Sequence, residues 1–432
     1  MLTASGEQFK DWSSAYRLFK GERMNVDEIF TVIKEKLIKE QLSQQQAIYA
    51  HMDDTIFKKT GKKVSGTAWR RDPLGPPFHT NFLWGQRFLQ LSIALPDNQS
   101  ACISRAIPVD IHHCPTAKKP RKNDSQRVWD EYKEAQKQAN LSLKGVQRIK
   151  DLRKSIDTMG ANGRQLVISV DGSYTNRTVI KEVPERVTII GRIRKDSRIY
   201  ALPEEKQNRG RKRIYGELLP TPEQIRKDND IPWQQVEAYA AGKVHQFDVK
   251  ILRNIRWRAS SKNNVQLVVI RPLAYRLTKN SRRLYRKPAY LICTDPNLDI
   301  EKLLQAYLWR WEIEVNFKEE KSLFGSGEAH VRTKDAVEKL PSFIVAVYAL
   351  LLLAASKTAQ YDSINSLPRA KWYPNKKSNR KTTGDILNVI RSQLYSRAID
   401  LNFSHFVNLQ YQYTNPNNSM IPLFSNAFYN RN

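Results

Sequence analysis

The chain has 432 residues and is 40% apolar, so it is long enough for two or three domains with hydrophobic cores. Lys and Arg total 72 against 43 Asp and Glu, and the resulting charge of +29 indicates a polyanionic partner, with nucleic acid in first place. Three widely spaced cysteines exclude a disulfide framework, and the longest apolar run, residues 343–355, is shorter than the roughly 20 residues of a membrane span.

The same features predict the compartment. The opening residues MLTASGEQFKDW are polar and aromatic, so we expect no signal peptide. Pro341 stands near the start of the apolar run, which predicts a buried core helix. We therefore expect a cytoplasmic protein without a membrane segment, and an anionic membrane surface is a distant second to nucleic acid as partner.

The first part of the chain is predicted to be helical and then to form strands. Residues 1–44 include VDEIFTVIKEKLIKEQL, in which apolar positions recur at helical spacing. Three strands are predicted next, at 45–59, 80–95 and 101–111. The first of them ends in the paired acids Asp53 and Asp54.

A basic loop, a polar helix and another strand follow. The loop covers 115–127, and a long helix is predicted at 126–160, ending near Gly160. The strand RQLVISVDGSY (164–174) terminates in the carboxylate of Asp171.

From about Lys195 the chain becomes strongly basic and rich in aromatic and β-branched residues. Between Val249 and Thr294 there is no Asp or Glu, yet Lys and Arg are frequent. VQLVVIRPLAY (265–275) has the composition of a strand. We predict that 195–288 is a basic β-rich insertion.

The strand AYLICTD (289–295) is predicted to rejoin the main sheet, and a helix follows at 303–321. Four polar residues recur there at intervals of three, four and seven: Tyr307, Arg310, Glu314 and Lys321. At 3.6 residues per turn they lie on one face of a helix. A carboxylate between two cations and a phenol indicates a metal-binding acid among phosphate-holding groups.

The rest of the chain is predicted to be helical, with an apolar helix at 342–356, a basic linker at 369–385 and a last helix before an Asn-rich tail. The predicted regions are an N-terminal helical region (1–44), a core in two parts (45–194 and 289–360), the insertion (195–288) and a C-terminal helical region with a tail (361–432).

Three acids lie at predicted strand ends or on the key helix: Asp54, Asp171 and Glu314. Phosphodiester chemistry suits such a set, because two Mg²⁺ ions about 3.5–4 Å apart activate the attacking oxygen and stabilise the leaving one. A few carboxylates are enough, since Mg²⁺ keeps several waters.

The spacing Tyr-x2-Arg-x3-Glu-x6-Lys matches the Tyr-Arg-Glu-Lys signature of the DDE transposases of bacterial insertion sequences, which the chain resembles over about 45–356. MDDTIFKKTG resembles that family's first-aspartate strand and VDGSYTNRTVI its second. The resemblance implies an α/β fold: a ribonuclease H-like mixed sheet flanked by helices, with a β-rich insertion domain and helical N- and C-terminal regions.

The resemblance also implies site residues. Two ions, Mg²⁺ or Mn²⁺, would be bound by Asp54, Asp171 and Glu314, and phosphates near the cut by Tyr307, Arg310 and Lys321. Further DNA contacts are predicted at Trp257, Arg211 and Arg213, although Trp257 fits a core position equally well. Paired acids such as Asp53 and Asp54 are most often turn or cap residues, but the position of Asp54 directly before Thr55 favours it as a metal ligand. Family strand order favours Asp171 over Asp295.

The implied activity is cut-and-paste transposition. The enzyme would bind the inverted repeats of its element, expose 3′-hydroxyls at both ends and join them to target DNA. Double-stranded DNA is the implied partner, both as ends and as target, with a homodimer in the synaptic complex near the bacterial nucleoid. The alternatives are a ribonuclease H-like nuclease without strand transfer and a non-catalytic DNA-binding descendant.

Overall fold

A computed structural model describes residues 11–21, 23–72, 75–76, 78–79, 81–97, 100–204, 212–278, 280–329, 331, 333–357, 382–388 and 390. The chain divides into two compact units, 1–349 and 350–432. The strands are β1 (Ala47–Lys58), β2 (Ala68–Arg71), β3 (Phe82–Asp97), β4 (Ser100–His113), β5 (Gln165–Val170), β6 (Val187–Arg192), β7 (Ile199–Tyr200), β8 (Gln234–Ala240), β9 (Lys243–Trp257), β10 (Val265–Ile270), β11 (Ala274–Tyr275), β12 (Leu284–Tyr285) and β13 (Ala289–Cys293). The helices are α1 (Trp12–Leu18), α2 (Val26–Glu35), α3 (Gln126–Gln138), α4 (Leu141–Thr158), α5 (Arg177–Glu182), α6 (Pro222–Lys227), α7 (Ile300–Trp309), α8 (Trp311–Ser322) and α9 (Lys334–Lys357).

A mixed sheet of eleven strands organises the described part of the first unit. Its order is β2-β3-β1-β5-β6-β13-β10-β9-β7, with β4 beside β3 and β8 beside β9. β1, β3 and β4 are antiparallel neighbours, whereas β5 pairs parallel with both β1 and β6. The predicted mixed sheet flanked by helices is confirmed, and the order β4-β3-β1-β5-β6 is consistent with a ribonuclease H-like domain.

Side chains of β1 point alternately to the two sides of the sheet and contact a different helix on each side. Met52 points to one side and meets α4, where a Cβ on Gly145 would lie 3.1 Å from the Met52 Cε atom. Glycine at 145 therefore lets the helix approach the strand closely. Tyr49 points to the other side, and its ring lies 5.6 Å from that of Trp309 at the end of α7. The sheet thus has α4 on one face and α7 on the other.

Two helices that were predicted as continuous are broken. The helix predicted at 126–160 is divided into α3 and α4, because the Asn140 side chain accepts hydrogen bonds from the backbone of Ser142 and Leu143 and starts a new helix. The helix predicted at 303–321 is divided at Arg310, where the Arg310 N–H bonds to the Tyr307 carbonyl in a tighter turn.

The basic block 195–288 is rich in strands, as expected, but its strands extend the main sheet. β10 pairs with β13 and β13 pairs with β6, so the sheet is continuous from the core into this block. A separate insertion domain is therefore not confirmed, and its boundaries stay a prediction. Only β11 and β12, among the described strands, form a pair outside the main sheet.

α9 is the one helix in the described ranges that is long and apolar enough to cross a membrane by length and composition. It begins at Lys334, before the predicted start, and includes Pro341. Val345 and Ala349 are fully buried, and the Tyr348 hydroxyl donates a hydrogen bond to Glu319 Oε2 at 2.6 Å. These contacts support the prediction of a core helix.

The second unit is described only at 350–357, 382–388 and 390. Ala355 and Ile386 form a small apolar cluster. The Thr382 hydroxyl donates to Asp385 Oδ2 at 2.7 Å, and the Asp385 N–H donates back to Thr382 Oγ1. This reciprocal cap begins a short helical segment at 383, inside the linker predicted at 369–385. The predicted boundary at 360–361 and the Asn-rich tail lie outside the described residues.

Candidate active site

Two carboxylates meet where β5 ends beside β1. The two strands are parallel, and Met52 is paired with Val170, so the next residues along each strand are Asp53 and Asp171. The negative charge of Asp171 acts to raise the pKa of Asp53 and the pKa of Arg310, which places the Asp171 carboxylate near both side chains. The end of β5 therefore carries the acids of the candidate site.

The junction of α7 and α8 provides the other half of the site. Arg310 Nη1 donates to Asp53 Oδ2 at 3.0 Å, and its Nη2 donates to Glu314 Oε1 at 2.8 Å. The Arg310 side chain is only 14% exposed, so these bonds are largely shielded from water. Burial raises the pKa of Tyr307 and the Arg310 charge acts to lower it, which places the phenol near this guanidinium. Arg310 thus joins Asp53 to Glu314, with Tyr307 nearby, and the predicted proximity of Tyr307, Arg310 and Glu314 is seen across the helix junction.

The structure places Asp53, and not Asp54, on this side of the sheet. Successive strand residues point to opposite faces. Asp54 Oδ1 accepts a hydrogen bond from the Tyr174 hydroxyl at 2.7 Å, and its Oδ2 lies 3.2 Å from Arg87 Nε. Its carboxylate therefore lies with the α4 layer, away from Glu314. The prediction that Asp54 is a metal-binding acid beside Glu314 therefore disagrees with this geometry.

Strand direction separates Asp171 from its rival Asp295. β13 runs antiparallel to β6, so the end of β13 lies at the edge where β5 and β6 begin. Asp295 follows β13 and is thus at the opposite edge from Asp171. Its Oδ1 accepts from the Asn297 N–H at 2.9 Å, the geometry of a turn residue.

Burial governs the titration of the site. Desolvation raises the pKa of Asp53 to about 7, although the nearby Arg310 charge and a backbone hydrogen bond from Asp54 lower it. His51 is fully buried two residues earlier on the same face, and burial together with the Arg310 charge lowers its pKa to about 3. The imidazole is therefore neutral at physiological pH, and Arg310 is the cation that balances Asp53.

The donor set fits a hard divalent cation in its chemistry. Asp53, Asp171 and Glu314 offer carboxylate oxygens on one side of the sheet, and the raised pKa of Asp53 shows a buried carboxyl that further positive charge would stabilise. In the structure Arg310 provides the positive charge between Asp53 and Glu314. Across the described ranges, no three or more His, Cys, Asp or Glu side chains stand close enough to hold a metal ion without rearrangement.

The remaining predicted residues lie elsewhere. Lys321 Nζ is 5.9 Å from the centre of the Phe57 ring, two helical turns past Glu314, so it does not join the Arg310 cluster. Trp257 ends β9, packs against the apolar cluster that includes Ile199, and lies at the edge opposite Asp171. Arg213 is an exposed loop residue, and Arg211 lies outside the described residues.

A buried polar network anchors α8 behind the site. Gln90, which is paired with Asp53 across β3 and β1, donates from Nε2 to Glu320 Oε1 at 2.9 Å. Ser92 donates to Asn316 Oδ1 at 3.1 Å, and the Asn316 amide donates to the Tyr348 hydroxyl at 3.0 Å. These bonds fix α8 to the strand face that carries Asp53. Local sequence pattern does not predict this network.

Glu320 is held as a neutral acid. It is fully buried, and desolvation raises its pKa to about 8. Within the described part of the chain, Glu320 Oε2 and Gln90 Oε1 have no hydrogen-bond partner. A proton on the Glu320 carboxyl would provide Gln90 Oε1 with a donor, so the pair is best satisfied as a carboxylic acid and an amide.

We expect the variant Glu320→Gln to be more stable than the wild type at high pH. The folded pKa of about 8 exceeds the unfolded value near 4.5, so wild-type stability falls as pH rises between these values and then levels off. The neutral glutamine does not ionise and avoids this loss, so the variant should be more stable than the wild type by roughly 4–5 kcal/mol at pH 8.5. Urea unfolding between pH 5 and 8.5 measures it, with the exposed Glu301→Gln as control. Parallel pH curves for both variants would contradict a neutral Glu320.

A ribonuclease H-like sheet with carboxylates at the end of β5 is typical of metal-dependent nucleases. The sequence profile of the DDE superfamily endonucleases matches residues 5–264, more than half of the chain, and the chain belongs to this family. The matched segment contains Asp53 and Asp171, whereas Glu314 lies beyond it. No curated protein matches the chain.

Proposed function

We propose that this DDE superfamily endonuclease is a transposase. It binds the terminal inverted repeats of its element, cleaves the ends and joins their 3′-hydroxyls to target DNA. The observation that carries the proposal is the Arg310 cluster, which brings Asp53 and Glu314 together beside Asp171, with the Tyr307 phenol at the same guanidinium. Family membership supports cleavage, and the joining step is the part that goes beyond it.

The acids proposed to hold two Mg²⁺ or Mn²⁺ ions are Asp53, Asp171 and Glu314. When bound, such ions supply activation of the attacking oxygen and stabilisation of the leaving oxygen. Arg310 presents a planar fork of donors that suits a phosphate as well as it suits the carboxylates it now binds. The Tyr307 hydroxyl can donate to a phosphate oxygen beside it. These two side chains would hold and orient the scissile phosphate.

Charge and assembly complete the proposal. The formal charge of +29 favours double-stranded DNA, as transposon end and as target. Two ends must be held together before joining, which requires at least two active sites and therefore a homodimer in the synaptic complex. We place the enzyme in the bacterial cytoplasm at the nucleoid. DNA-contacting roles for Lys321, Trp257, Arg211 and Arg213 stay predictions.

The second candidate is a nuclease that cleaves without strand transfer. Two features of the family match favour this candidate. The match describes an endonuclease, and it ends at residue 264, before the helix that carries Glu314. The two candidates use the same acids and differ in whether a 3′-hydroxyl or water attacks the second phosphodiester.

Product analysis separates the two candidates. The full-length protein is incubated with duplexes copied from the DNA that flanks its coding region, a supercoiled target plasmid, and Mg²⁺ or Mn²⁺. We expect cleaved ends and end–plasmid joint molecules, and EDTA should abolish both because the acids act through the ions. Cleavage without joint molecules would establish the nuclease instead. A protein that cleaves no DNA with either metal would overturn both proposals.

A further inference from the structure

An exposed basic segment of the chain, 271–288, is described at 271–278 and 280–288 and is named here the basic hairpin. It contains the pair β11–β12, in which Ala274 is paired with Tyr285, and no acidic residue. Most of its described side chains are exposed, including those of Arg282 and Arg283. Neither of these two arginines makes an ion pair among the described residues. Their charge is therefore available to an outside anion.

Local contacts give the basic hairpin a defined shape. The Ser281 N–H donates to the Thr278 carbonyl at 3.1 Å, and the Thr278 N–H donates to Ser281 Oγ at 3.0 Å, which closes the tip. Near its base, the Arg286 guanidinium lies 5.5 Å from the centre of the Tyr275 ring, a cation–π distance. A shaped arm loses less conformational entropy on binding than a flexible loop does.

Sheet register places the arm beside the candidate active site. Val170 is paired with Gly191 and Leu291 with Arg192, so Asp171 is level with Leu291. The hairpin begins beyond Ala289, two residues further out on the same edge of the sheet, or roughly 7 Å. The lateral distance from β5 to β13 is two strand spacings, about 10 Å.

This placement determines what the arm can meet. A DNA duplex whose scissile phosphate lies at Asp171 continues past the edge of the sheet on either side. At about 3.4 Å per nucleotide, the arm is on the order of three or more base pairs from the cut. Arginine side chains on such an arm are suited to phosphate oxygens, which are contacted without reading sequence.

We propose that the basic hairpin is a DNA-binding arm that holds the phosphate backbone of the duplex a few base pairs from the site of cleavage. The proposal rests on the proposed DNA-cleaving function of the carboxylate site. The arm contributes affinity and position, and base sequence is read elsewhere. The exposed ring of Tyr285, 64% accessible, lies on the same arm and can pack against the sugars of the contacted strand.

The test compares two double variants of the full chain. Arg282→Ala/Arg283→Ala removes two charges from the arm. Arg258→Ala/Lys262→Ala removes two exposed charges from the same acid-free stretch, but at the opposite edge of the sheet. The matched charge loss means that a difference between the variants reports position and not net charge. Binding to a fluorescent duplex of about 40 base pairs is measured across a range of salt concentrations with EDTA present, so that no cleavage occurs.

We expect the arm variant to bind about tenfold more weakly than the control, with a salt-dependence slope lower by about 2, one per arginine. Equal affinity and an equal salt-dependence slope for the two variants would overturn the proposal that the basic hairpin binds DNA. The outcome is independent of catalysis. If the arm variant shows the expected loss of binding but the wild type never cleaves DNA, this inference is supported and the proposed function is refuted. If the wild type binds no duplex, both are refuted.

Discussion

Asp53→Asn should lower metal-dependent DNA cleavage by at least about 1000-fold, which corresponds to about 4 kcal/mol of transition-state stabilisation. The asparagine side chain keeps the size of the aspartate but lacks the negative charge that divalent ions require. Glu314→Gln should have a loss of the same order, because it removes another carboxylate held at Arg310. Both variants should still bind duplex DNA, since neither loses a cation. Initial cleavage rates and duplex affinity, measured side by side, check both expectations.

The matched control is the neighbouring residue. Asp54→Asn removes an equal charge one position along the same strand, but on the face where the carboxylate bonds to Tyr174. The amide oxygen of the new side chain can still accept that bond. We therefore expect cleavage within about tenfold of wild type and a modest loss of stability from the missing Arg87 partner. The reverse result, with Asp54→Asn inactive and Asp53→Asn active, would restore Asp54 to the site.

The choice between these two aspartates could have been made from the sequence. In AIYAHMDD the apolar residues Ile48, Ala50 and Met52 alternate with Tyr49, His51 and Asp53. A period of two puts Asp53 on the more polar face and Asp54 on the apolar one. The position before Thr55 favours Asp54, whereas the alternation favours Asp53. The strand itself is predictable from local pattern, whereas the mixed sheet is implied by the family resemblance. The paired acids lie within β1, which continues to Lys58, and not at its end as predicted.

Other parts of the site depend on contacts that local pattern does not encode. The bond between Arg310 and Asp53 joins residues 257 positions apart, and the polar network of Gln90 and Glu320 spans 230. The location of Asp295 at the far edge follows from the antiparallel direction of β13, which only the pairing with β6 determines. Helical spacing did predict that Arg310 and Glu314 meet. It did not predict that Lys321 lies apart, over Phe57.

Arg310→Ala should impair both stability and catalysis, and the two effects should depend differently on pH. Arg310 now balances the buried Asp53 carboxylate, so its removal raises the pKa of Asp53 further above about 7. Below about pH 6 this carboxyl is protonated in both proteins and the charge imbalance disappears. As pH rises above about 7, the wild type ionises Asp53 beside Arg310, whereas the variant must keep the proton or bury an uncompensated charge, and losing a partner of this kind costs about 3 kcal/mol. The difference in unfolding free energy should therefore grow with pH.

Arg310→Lys separates the charge of this residue from its shape. Lysine keeps the positive charge, so we expect most of the stability to return and its pH dependence to approach that of the wild type. It cannot reproduce the planar fork that binds Asp53 and Glu314 at once, nor bidentate binding of a phosphate. Cleavage should therefore stay reduced by about 100-fold or more in both variants, measured at a salt concentration where all three proteins are saturated with DNA. If Arg310→Lys cleaved as fast as the wild type, a point charge would suffice at this position. Arg310 would then be a counter-ion of the acids and not a phosphate-holding group.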